Sequence, residues 1–562
     1  MASRPRTVAV IGAGAAGIAA ARVLRGAGAA VTVLEQAHEV GGVWCREGEP
    51  GSGMHVGLQT NLPNQVMGFG PEFPMPSDDD EGGGGTPSFV SVGAMMRYLQ
   101  EHARAEEILP LVELGTRVVR AEPATWDGEG EGEGEGGGGG GGGEGGGEGE
   151  SESGSGSGTS GGWNGWNVTT RSVDGTNTSD ERRERRFDWL VVANGHYNMP
   201  FVPPVAGLKE HFVGRAVHSS EVVDMSAYAG QTIIVVGAQA SGTDIALKLS
   251  RQPGTTVIVA DRACGTRQED VTNRAGRAAS SAAAGAAAAA AGGGGAGPTA
   301  GDRDGADEVG GMREGTRGCD GEDGSGVDGA ITWSPPLTHV EEGSHVVFAD
   351  GHHCDDADLI VFACGYLYDF DFFDTGRGGT GIEEEGGAAV GEEGGDRGTG
   401  GDDEAKGDTC DDKGGTEDGL DKGHPLLTPL LHTDRRKQVH PLYRHIFHCD
   451  MPTLAFIGIP WSVVPFPLFE LQSRLIAAVM TGELGLPSRD QRWQALEAQY
   501  GERDAGNLRA PRHQDTHRFG PLQWVYSREI VQDLYPVVGS RDRVTADAAI
   551  DLNEAIYNDV GR

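Results

Sequence analysis

The sequence predicts an α/β protein made of two doubly wound domains, with the second domain inserted into the first. Two stretches, 7–35 and 232–262, carry this prediction, because each reads as strand, glycine-rich turn, helix and second strand. A single buried strand is predicted at 187–193, and buried strand patterns return late in the chain, near 358–363 and 454–459. Strands that alternate with helices in this way form parallel sheets with helices packed against them.

The first stretch has the complete pattern of a dinucleotide-binding turn. Its parts are the strand Thr7–Ile11, the motif glycines Gly12, Gly14 and Gly17, a helix at 18–25, a strand at 30–34 and the acid Glu35. We expect Gly12 to allow a tight turn, Gly14 to let a pyrophosphate approach, and Gly17 to let helix and strand pack closely. The helix N-terminus would face the phosphates, and Glu35 would accept hydrogen bonds from a ribose.

The second stretch repeats this pattern with one departure. Its parts are a strand at 232–236, the turn from Gly237 to Gly242, a helix at 243–249, a strand at 256–260 and the pair Asp261 and Arg262. Gln239 stands where the middle glycine is expected, although its small neighbours still allow a phosphate to approach. An acid at the end of the second strand indicates NAD, whereas an arginine indicates NADP. The spacing leaves both coenzymes open.

Two segments between these stretches have a composition that suggests contact with a ligand. The paired glycines of Gly41-Gly42-Val43-Trp44 would let the backbone lie against a flat ring, with Trp44 beside it or in the core. The segment 58–76 is rich in proline, glycine and aromatic residues, which is typical of an ordered loop. Asn61 lies in this loop, where a turn or a cap is the plainer interpretation of a single asparagine.

Low-complexity tracts divide the chain and hold most of its formal net charge of −39. Residues 127–162 have nine acids and no base, and residues 374–423 have sixteen acids against five bases. We expect these tracts and the Ala/Gly-rich residues 265–330 to be disordered surface insertions. The remaining sequence is only mildly acidic, so the charge indicates solubility and argues against nucleic-acid binding.

The cysteine and histidine patterns indicate no metal site and no disulfide framework. The seven cysteines are scattered without a C-x-x-C pair, which is typical of reduced thiols. His513 and His517 are four residues apart, but they lack a third ligand. Because the first predicted strand begins at Thr7 and no long apolar run follows, we predict neither a signal peptide nor a membrane anchor, and a cytoplasmic location.

Taken together, the motifs resemble those of the flavin-containing monooxygenases, particularly the plant and fungal type that oxygenates sulfur. The matching stretches are GAGAAG at 12–17, GGVW at 41–44, LQTNLPNQVMGF at 58–69, ANGHY at 193–197, FVGRAVH at 212–218, VVGAQASGTDIA at 235–246, FACGY at 362–366, PLYRHIF at 441–447 and FIGIPWSVVPFPLFELQSR at 456–474. They follow the family's order and cover most of the chain outside the insertions. Val222 and Cys364 depart from the family pattern, which expects an aromatic residue and a threonine there.

The resemblance implies two Rossmann-like domains, FAD at the first glycine motif and NADPH at the second. It implies that Asn61 is catalytic, because its amide orients the nicotinamide and the oxygenated flavin, and it favours Arg262 over Asp261 as the residue that selects NADPH. The predicted domains are 1–204 for FAD, 205–340 for NADP and 341–562 for the rest of the FAD domain. The predicted cofactor-binding residues are Gly12, Gly14, Ala15, Ala16, Gly17, Glu35, Gly42, Val43, Trp44, Thr60, Asn61, Gly237, Gln239, Ser241, Gly242, Arg262, Gly365 and Gln472.

The reaction that the resemblance implies uses NADPH and O2 to oxygenate a small molecule with a nucleophilic sulfur or nitrogen, through a C4a-hydroperoxyflavin. A homodimer is compatible with it. Three other functions stay open: a Baeyer–Villiger-type oxygenase, an NADPH oxidase and a flavoprotein scaffold without catalysis. A disulfide reductase would share both nucleotide domains, but it requires a redox-active cysteine pair, and the sequence has none at a suitable spacing.

Overall fold

The computed structural model describes residues 4–70, 89–125, 163–173, 182–262, 331–373, 438–505, 516–537 and 539–560. The three tracts predicted to be disordered lie outside these residues. Within them, the helices are α1 Ala15–Gly26, α2 Val92–Ala105, α3 Leu208–His211, α4 Ala240–Leu249, α5 Pro465–Thr481, α6 Arg489–Ala505, α7 Gln523–Leu534 and α8 Ser540–Val560. None of these helices is long and apolar enough to cross a lipid bilayer.

The described strands form two large sheets, one mixed and one entirely parallel, and three smaller antiparallel ones. In chain order they are β1 Thr7–Ile11, β2 Ala30–Leu34, β3 Val112–Glu113, β4 Thr116–Thr125, β5 Trp163–Ser172, β6 Arg182–Phe187, β7 Trp189–Val192, β8 Met199–Pro200, β9 Arg215–His218, β10 Thr232–Val236, β11 Thr256–Ala260, β12 Ile331–Ser334, β13 Leu337–Glu341, β14 His345–Phe348, β15 His353–Cys354, β16 Leu359–Phe362, β17 Tyr366–Leu367, β18 Leu442–Tyr443, β19 Phe447–His448 and β20 Leu454–Phe456.

The first large sheet has seven strands in the order β18-β19-β20-β7-β1-β2-β3. Its five strands from β20 to β3 are parallel, and β18 and β19 pair antiparallel at one edge. Along β1, Val8 and Val10 belong to the core beneath α1, α2, α5 and α7, whereas Ala9 and Ile11 face a second core beneath the antiparallel sheet β4-β5-β6. This alternation follows from the two-residue period of a strand.

The second large sheet is entirely parallel, with the order β12-β11-β10-β16-β9. Ile233 and Val235 of β10 face the core that includes α4, and Ile234 faces the core beneath the small sheet β13-β14-β15. All its strands fall between β7 and β20 of the first sheet in the sequence. The predicted fold, a Rossmann-like domain inserted into another, is therefore confirmed, although strands cover one face of each large sheet.

Two local predictions need correction. The boundary at 341 is too early, because β16 at Leu359–Phe362 pairs with β10 and β9 inside the second sheet. The chain thus returns to the first domain only beyond Phe362. The single strand predicted at 187–193 is two strands, because Asp188 interrupts it: the Asp188 carboxylate accepts hydrogen bonds from the Thr7 amide and hydroxyl at 2.8 Å and 2.9 Å.

The two chain crossings between the domains lie side by side. The first follows β7, and the second follows β16. Within them, the short strands β8 and β17 pair antiparallel, with Tyr366 opposite Pro200 and Leu367 opposite Met199. The carboxyl edges of the two parallel sheets are thus joined by a two-stranded connection, which is where open α/β sheets bind their ligands.

Candidate functional site

The first glycine motif is held in place by contacts that leave no room for a side chain. Gly12 has φ +99°, and a Cβ there would lie 2.6 Å from the Ala193 carbonyl oxygen. A Cβ on Gly17 would lie 1.9 Å from the Gly12 carbonyl oxygen. Because a Cβ cannot approach a backbone oxygen so closely, α1 can pack on β1 only when these two positions are glycine.

Glycine suits the middle position of this motif for a different reason. Gly14 has φ −73° and ψ −174°, which any residue can adopt. Its neighbour across the turn is Gly42, whose Cβ, if present, would lie 3.0 Å from the Gly14 Cα. The two loops also share a hydrogen bond from the Gly41 amide to the Ala13 carbonyl oxygen at 3.0 Å. The result is a cradle of bare backbone at the N-terminus of α1.

This cradle fits a dinucleotide phosphate. Gly14 is the N-cap of α1 and has no side chain to cap the helix, and the first turn contains no acid. The half-buried Ala15 and Ala16 in that turn present only methyl groups. Helix N-termini of this kind attract anions through free amide groups and the helix dipole. The residues present therefore suit the pyrophosphate of FAD.

Glu35 is buried at the end of β2, and the protein uses both of its carboxylate oxygens. Oε2 accepts a hydrogen bond from the Ala13 amide at 2.6 Å, and Oε1 accepts one from the Ala37 amide at 2.7 Å. Each oxygen retains a further lone pair for a hydroxyl group. Glu35 thus orders the glycine turn, and ribose binding by the same carboxylate stays a prediction.

The GGVW segment continues the cradle as a short 3-10 helix, Gly42–Cys45. Val43 and Trp44 are half-buried, and Trp44 packs against the helical core of the first domain. Cys45 ends this helix, and its thiol donates to the Val40 carbonyl oxygen at 3.0 Å. Burial, together with Glu39, Glu35 and Glu49, raises the pKa of the Cys45 thiol to about 12. It is therefore a poor source of thiolate at neutral pH.

The second glycine motif reproduces the outer contacts of the first. Gly237 has φ +100°, and its Cβ would lie 2.7 Å from the Ala363 carbonyl oxygen. A Cβ on Gly242 would lie 1.9 Å from the Gly237 carbonyl oxygen. Gln239, with φ −79° and ψ −173°, has the backbone conformation of Gly14. Gln239 and Ser241 are exposed at the start of α4, and the Gln239 side chain does not cap it.

The residues predicted to read the coenzyme ribose lie at the end of β11. The Asp261 carboxylate accepts a hydrogen bond from the Arg262 amide at 2.7 Å, and the Asp261 amide donates to the Ser334 carbonyl oxygen at 3.1 Å. Arg262 is exposed. Its guanidinium can reach a phosphate group in solvent, so coenzyme selection by Arg262 stays a prediction.

We call the described part of the loop around Asn61, residues 58–70, the asparagine loop. The residues next to Asn61 are held in place, whereas Asn61 itself is exposed. Thr60 is buried and exchanges hydrogen bonds with Val90: its amide donates to the Val90 carbonyl oxygen at 2.9 Å, and its Oγ1 accepts from the Val90 amide at 3.1 Å. Pro63 and Asn64 are buried on the other side. Among the described residues, none forms a hydrogen bond with the Asn61 side chain. A rigid loop therefore presents a free amide group to solvent.

Two of the predicted cofactor-binding residues also have structural roles. Gln472 is fully buried, with its Oε1 accepting from the Gly458 amide and its Nε2 donating to the Tyr526 hydroxyl, both at 3.0 Å. Gln472 thus fixes the backbone just after β20, and its contact with a cofactor stays a prediction. Gly365 is exposed with φ +78° in the second crossing, and its carbonyl oxygen accepts from the Phe201 amide at 3.0 Å.

Sequence reasoning missed two histidines at the connection between the domains. The His196 Nδ1 lies 2.9 Å from the Gly458 carbonyl oxygen and must donate to it, which joins the ends of β7 and β20. Burial lowers the pKa of His196 to about 4, so its buried Nε2 is an unprotonated acceptor at neutral pH. The His218 Nε2 donates to the Gly365 carbonyl oxygen at 3.0 Å. The motif ANGHY could have identified His196, because this histidine comes shortly after the end of a buried strand.

The structure also joins the two domains through His55 and Asp244. The His55 Nε2 lies 2.7 Å from an Asp244 carboxylate oxygen, and the two residues are 189 positions apart in the chain. Burial raises the pKa of Asp244, but the His55 hydrogen bond and the charge of Lys248 outweigh it, and the net effect is a lowered pKa. Nothing in the local sequence around either residue predicts this pair.

Other histidines and cavities of the described residues lie outside the two glycine motifs. No cluster of three or more histidine, cysteine, aspartate or glutamate side chains among the described residues could hold a metal ion. His517 is buried, and its Nε2 accepts from the Val439 amide at 2.9 Å, whereas His513 lies outside the described residues. The cavities of about 540 Å³ and 500 Å³ lie near the amino ends of β1 and β2 and among α1, α5, α7 and α8, away from both motifs.

Comparisons with known proteins agree with this arrangement. Residues 10–68 match the family described as NAD(P)-binding Rossmann-like domain, and residues 176–275 match the family described as pyridine nucleotide-disulphide oxidoreductase. The flavin-containing monooxygenase FMO GS-OX-like 2 of Arabidopsis thaliana is 27% identical over 520 residues, which are 90% of this chain and 80% of the relative. FMO GS-OX5 of the same plant is 25% identical over 94% of this chain and 84% of the relative.

Solved structures show the same fold. S-allyl-L-cysteine S-oxygenase from Allium sativum aligns with a TM-score of 0.61 and 22% identity, covering 98% of this chain and 93% of that chain. Tmm from a Pelagibacter strain aligns with a TM-score of 0.58 and 17% identity, covering 98% and 90%. The predicted cofactor classes, a flavin and a nicotinamide nucleotide, are confirmed at the level of the family. This chain is a homologue of the flavin-containing monooxygenases, and thus an oxidoreductase built on two dinucleotide-binding domains.

Proposed function

We propose that this protein is an FAD- and NADPH-dependent monooxygenase that oxygenates a soft nucleophile, a thioether or an amine. Overall, the substrate, O2, NADPH and one proton give the oxygenated substrate, NADP+ and water. The observation that supports this proposal most directly is the pair of matching glycine cradles at the carboxyl edges of two parallel sheets. One chain thus offers two adjacent dinucleotide sites, with an asparagine loop between them in the sequence.

In this proposal, each domain binds one cofactor. The FAD site comprises Gly12, Gly14, Ala15, Ala16, Gly17, Glu35, Gly42, Val43, Trp44 and the loop that Thr60 anchors. The NADPH site comprises Gly237, Gln239, Ser241, Gly242 and Arg262, with Gly365 at the crossing. The FAD domain is then 1–204 together with the residues that follow the second crossing, and the NADP domain extends from 205 through Phe362.

The protein's own task is orientation and the exclusion of water, because the bound cofactors supply the redox chemistry of the reaction. Asn61 projects from a loop that Thr60 and Pro63 hold rigid, so its amide can both donate and accept toward bound groups. At neutral pH, His196 offers an acceptor at the ends of β7 and β20. The proposal assigns no acid, base or metal to substrate activation, which suits a substrate that is nucleophilic by itself.

Asn61→Ala tests the assigned role. We expect the variant to keep its FAD and its NADPH oxidation, but to release more hydrogen peroxide and less oxygenated product, by about 10-fold in the product-to-peroxide ratio. The measurement is peroxide and sulfoxide per NADPH consumed, with thioanisole as the probe. Gln65→Ala, at another exposed position of the same loop, is the matched control. An unchanged product yield in Asn61→Ala would remove Asn61 from the mechanism.

Rapid mixing of the NADPH-reduced protein with oxygenated buffer tests the reaction class. A transient absorbance distinct from reduced and oxidised flavin, whose decay a thioether accelerates, supports the monooxygenase. Direct return of oxidised flavin with stoichiometric peroxide indicates an NADPH oxidase. Product from a cyclic ketone, and none from thioethers or amines, indicates a Baeyer–Villiger-type enzyme, and failure of NADPH to reduce the flavin indicates a scaffold.

A disulfide reductase is disfavoured by the described cysteines. Cys45 is the one near the first cradle, and its raised pKa opposes formation of the nucleophilic thiolate. None of the four described cysteines forms a disulfide bond with another described residue. A homodimer and a cytoplasmic location stay predictions, which light scattering and localisation of a tagged protein would check.

A further inference from the structure

A segment between the two predicted FAD-binding motifs lies against the coenzyme domain. We call residues Gly48–Gly57 the interdomain strap. Its backbone donates twice to the second domain, from the Gly51 amide to the Ser220 carbonyl oxygen at 2.9 Å and from the Val56 amide to the Val223 carbonyl oxygen at 3.0 Å. At its end, the Lys248 ammonium group donates to the Gly57 carbonyl oxygen at 3.1 Å. The strap is thus fixed at three points.

The buried centre of the strap is His55, whose side chain is 5% exposed. Its Nε2 donates to the Asp244 carboxylate at 2.7 Å, and its Nδ1 lies 3.2 Å from the Val56 carbonyl oxygen. The same Asp244 oxygen accepts from Lys248 at 3.1 Å. A short charge-assisted hydrogen bond with one buried partner resists displacement more than an exposed ion pair does.

The pair joins the two parts of the site that must act on each other. Six residues after His55, the chain reaches Asn61, with Thr60 anchored between them. Asp244 lies two residues after Gly242, in the first turns of α4, whose N-terminus forms the coenzyme cradle. The His55–Asp244 bond therefore links the strap, which leads directly into the asparagine loop, to the helix that would hold the coenzyme phosphates.

We propose that His55 and Asp244 are positioning residues that fix α4 relative to the asparagine loop, and so set the distance between the bound coenzyme and the flavin. This inference rests on the proposed function. Because hydride transfer requires the reacting atoms to be about 3–3.5 Å apart, a shift of α4 by a fraction of an ångström changes the rate of reduction. In the proposed function, coenzyme binding depends on the turn 237–242 and on Arg262, and within the described residues no hydrogen bond or ion pair joins the side chain of His55 or Asp244 to them.

The test replaces His55 in the FAD-loaded protein. His55→Phe keeps the ring volume and removes the donor, while His55→Gln keeps an N–H donor at a similar reach. We expect His55→Phe to lower the limiting rate of flavin reduction by NADPH about 10-fold, with a change of less than 3-fold in the NADPH dissociation constant, and His55→Gln to restore most of the rate. Anaerobic stopped-flow absorbance measures both quantities.

A second readout does not depend on the redox reaction. In hydrogen–deuterium exchange of the protein without coenzyme, His55→Phe should increase exchange in 48–61 and in 240–249, because both segments lose a shared contact. The matched control is His345→Phe, which breaks a histidine–aspartate contact of 2.6 Å at the surface of the second domain. This control should change neither the exchange of these segments nor the rate.

The outcomes separate this inference from the proposed function. If the unsubstituted protein is not reduced by NADPH, the proposed function fails. If it is reduced, and His55→Phe matches it in rate and in exchange, the positioning role is wrong. Equal defects in His55→Phe and His345→Phe, or a lower melting temperature with an unchanged rate per bound flavin, would also overturn it.

Discussion

The two glycine motifs differ in sequence at their middle position, yet their backbones are nearly identical there. In both turns the outer glycines face a carbonyl oxygen at a distance that excludes a Cβ. Gly14 and Gln239 share the same extended backbone, which requires no glycine. What distinguishes them is the neighbour: Gly14 packs against Gly42, whereas Gln239 is exposed. The outer glycines are thus required by the fold, and the middle one by what lies opposite.

The motifs also differ at the end of the second strand. Glu35 is buried, and its carboxylate orders the turn of its own motif. In the second motif, Asp261 accepts from the next amide, and Arg262 extends into solvent. The first site is therefore closed and built into the core, whereas the second is open at the same place. This suits a resident cofactor in the first domain and an exchanging coenzyme in the second.

The largest expected effect comes from filling an outer glycine position. Gly17→Ala and Gly242→Ala each place a Cβ against a carbonyl oxygen, so we expect a loss of more than about 3 kcal/mol in the free energy of unfolding. Chemical denaturation measures it. Gly26→Ala is the control, because a Cβ there meets nothing within 4 Å and should be neutral or slightly stabilising. Normal stability in Gly17→Ala would contradict the steric argument.

Acid should destabilise the first domain more than the second. Burial lowers the pKa of His196 and of His448 from 6.5 to about 4, and both belong to the first domain. Because the unfolded chain binds protons below pH 6.5 and the folded domain only below about 4, stability falls as the pH drops through this range. Fully buried His448 alone could account for about 3 kcal/mol.

His448→Asn isolates this effect, because the asparagine oxygen can accept from the Asp450 and Met451 amides as the His448 Nδ1 does. Denaturation curves between pH 4 and pH 7 should then show a weaker pH dependence of the first domain's stability. The same slope in the variant and in the unsubstituted protein would show that His448 does not cause the loss.

Arg262→Ala addresses the open end of the second site. We expect the Michaelis constant for NADPH to rise about 10-fold and that for NADH to change less than 2-fold, because only NADPH carries the 2′-phosphate. Steady-state kinetics with both coenzymes measures this. Equal effects on the two coenzymes would mean that Asp261 or another residue reads the ribose.

The middle positions should affect cofactor binding without affecting folding, and Gln239 should have the smallest effect. Gly14→Ala introduces a Cβ that lies 3.6 Å from the Gly42 Cα, so we expect normal folding but about 10-fold weaker FAD binding. Gln239→Gly should change NADPH binding by less than 3-fold, because the Gln239 side chain is already exposed. Fluorescence titration measures both constants. Reversal of the two effects would break the distinction between a closed and an open cradle.

The sequence predicted elements well where a local pattern decides the structure. The strands 7–11, 30–34, 232–236 and 256–260 have the predicted bounds. Helix α1 begins three residues earlier than predicted, at Ala15, because the glycine turn itself leads into the helix. Helix α5 begins at Pro465. Proline is favoured in the first turn of a helix, because a backbone N–H there would have no acceptor within the helix.

The candidate site was predicted in part. The glycine positions could be predicted because the motif reflects steric requirements of the turn, and the structure shows the backbone contacts that impose these requirements. The structural role of Gln472 was missed, because neither its complete burial nor its bonds to Gly458 and Tyr526 are visible in a helical pattern. Asn61 could be singled out only through resemblance, since nothing local distinguishes it from a turn residue.

The sequence alone determined the two nucleotide-binding turns, because strand period, helix period and the steric demand of glycine act over a few residues. The tertiary structure alone decided three other features: that β16 closes the second sheet, that the two crossings pair as β8 and β17, and that His55 meets Asp244. Each of these depends on contacts between residues far apart in the chain. Such contacts form only when whole sheets and helices have packed, so no local pattern records them.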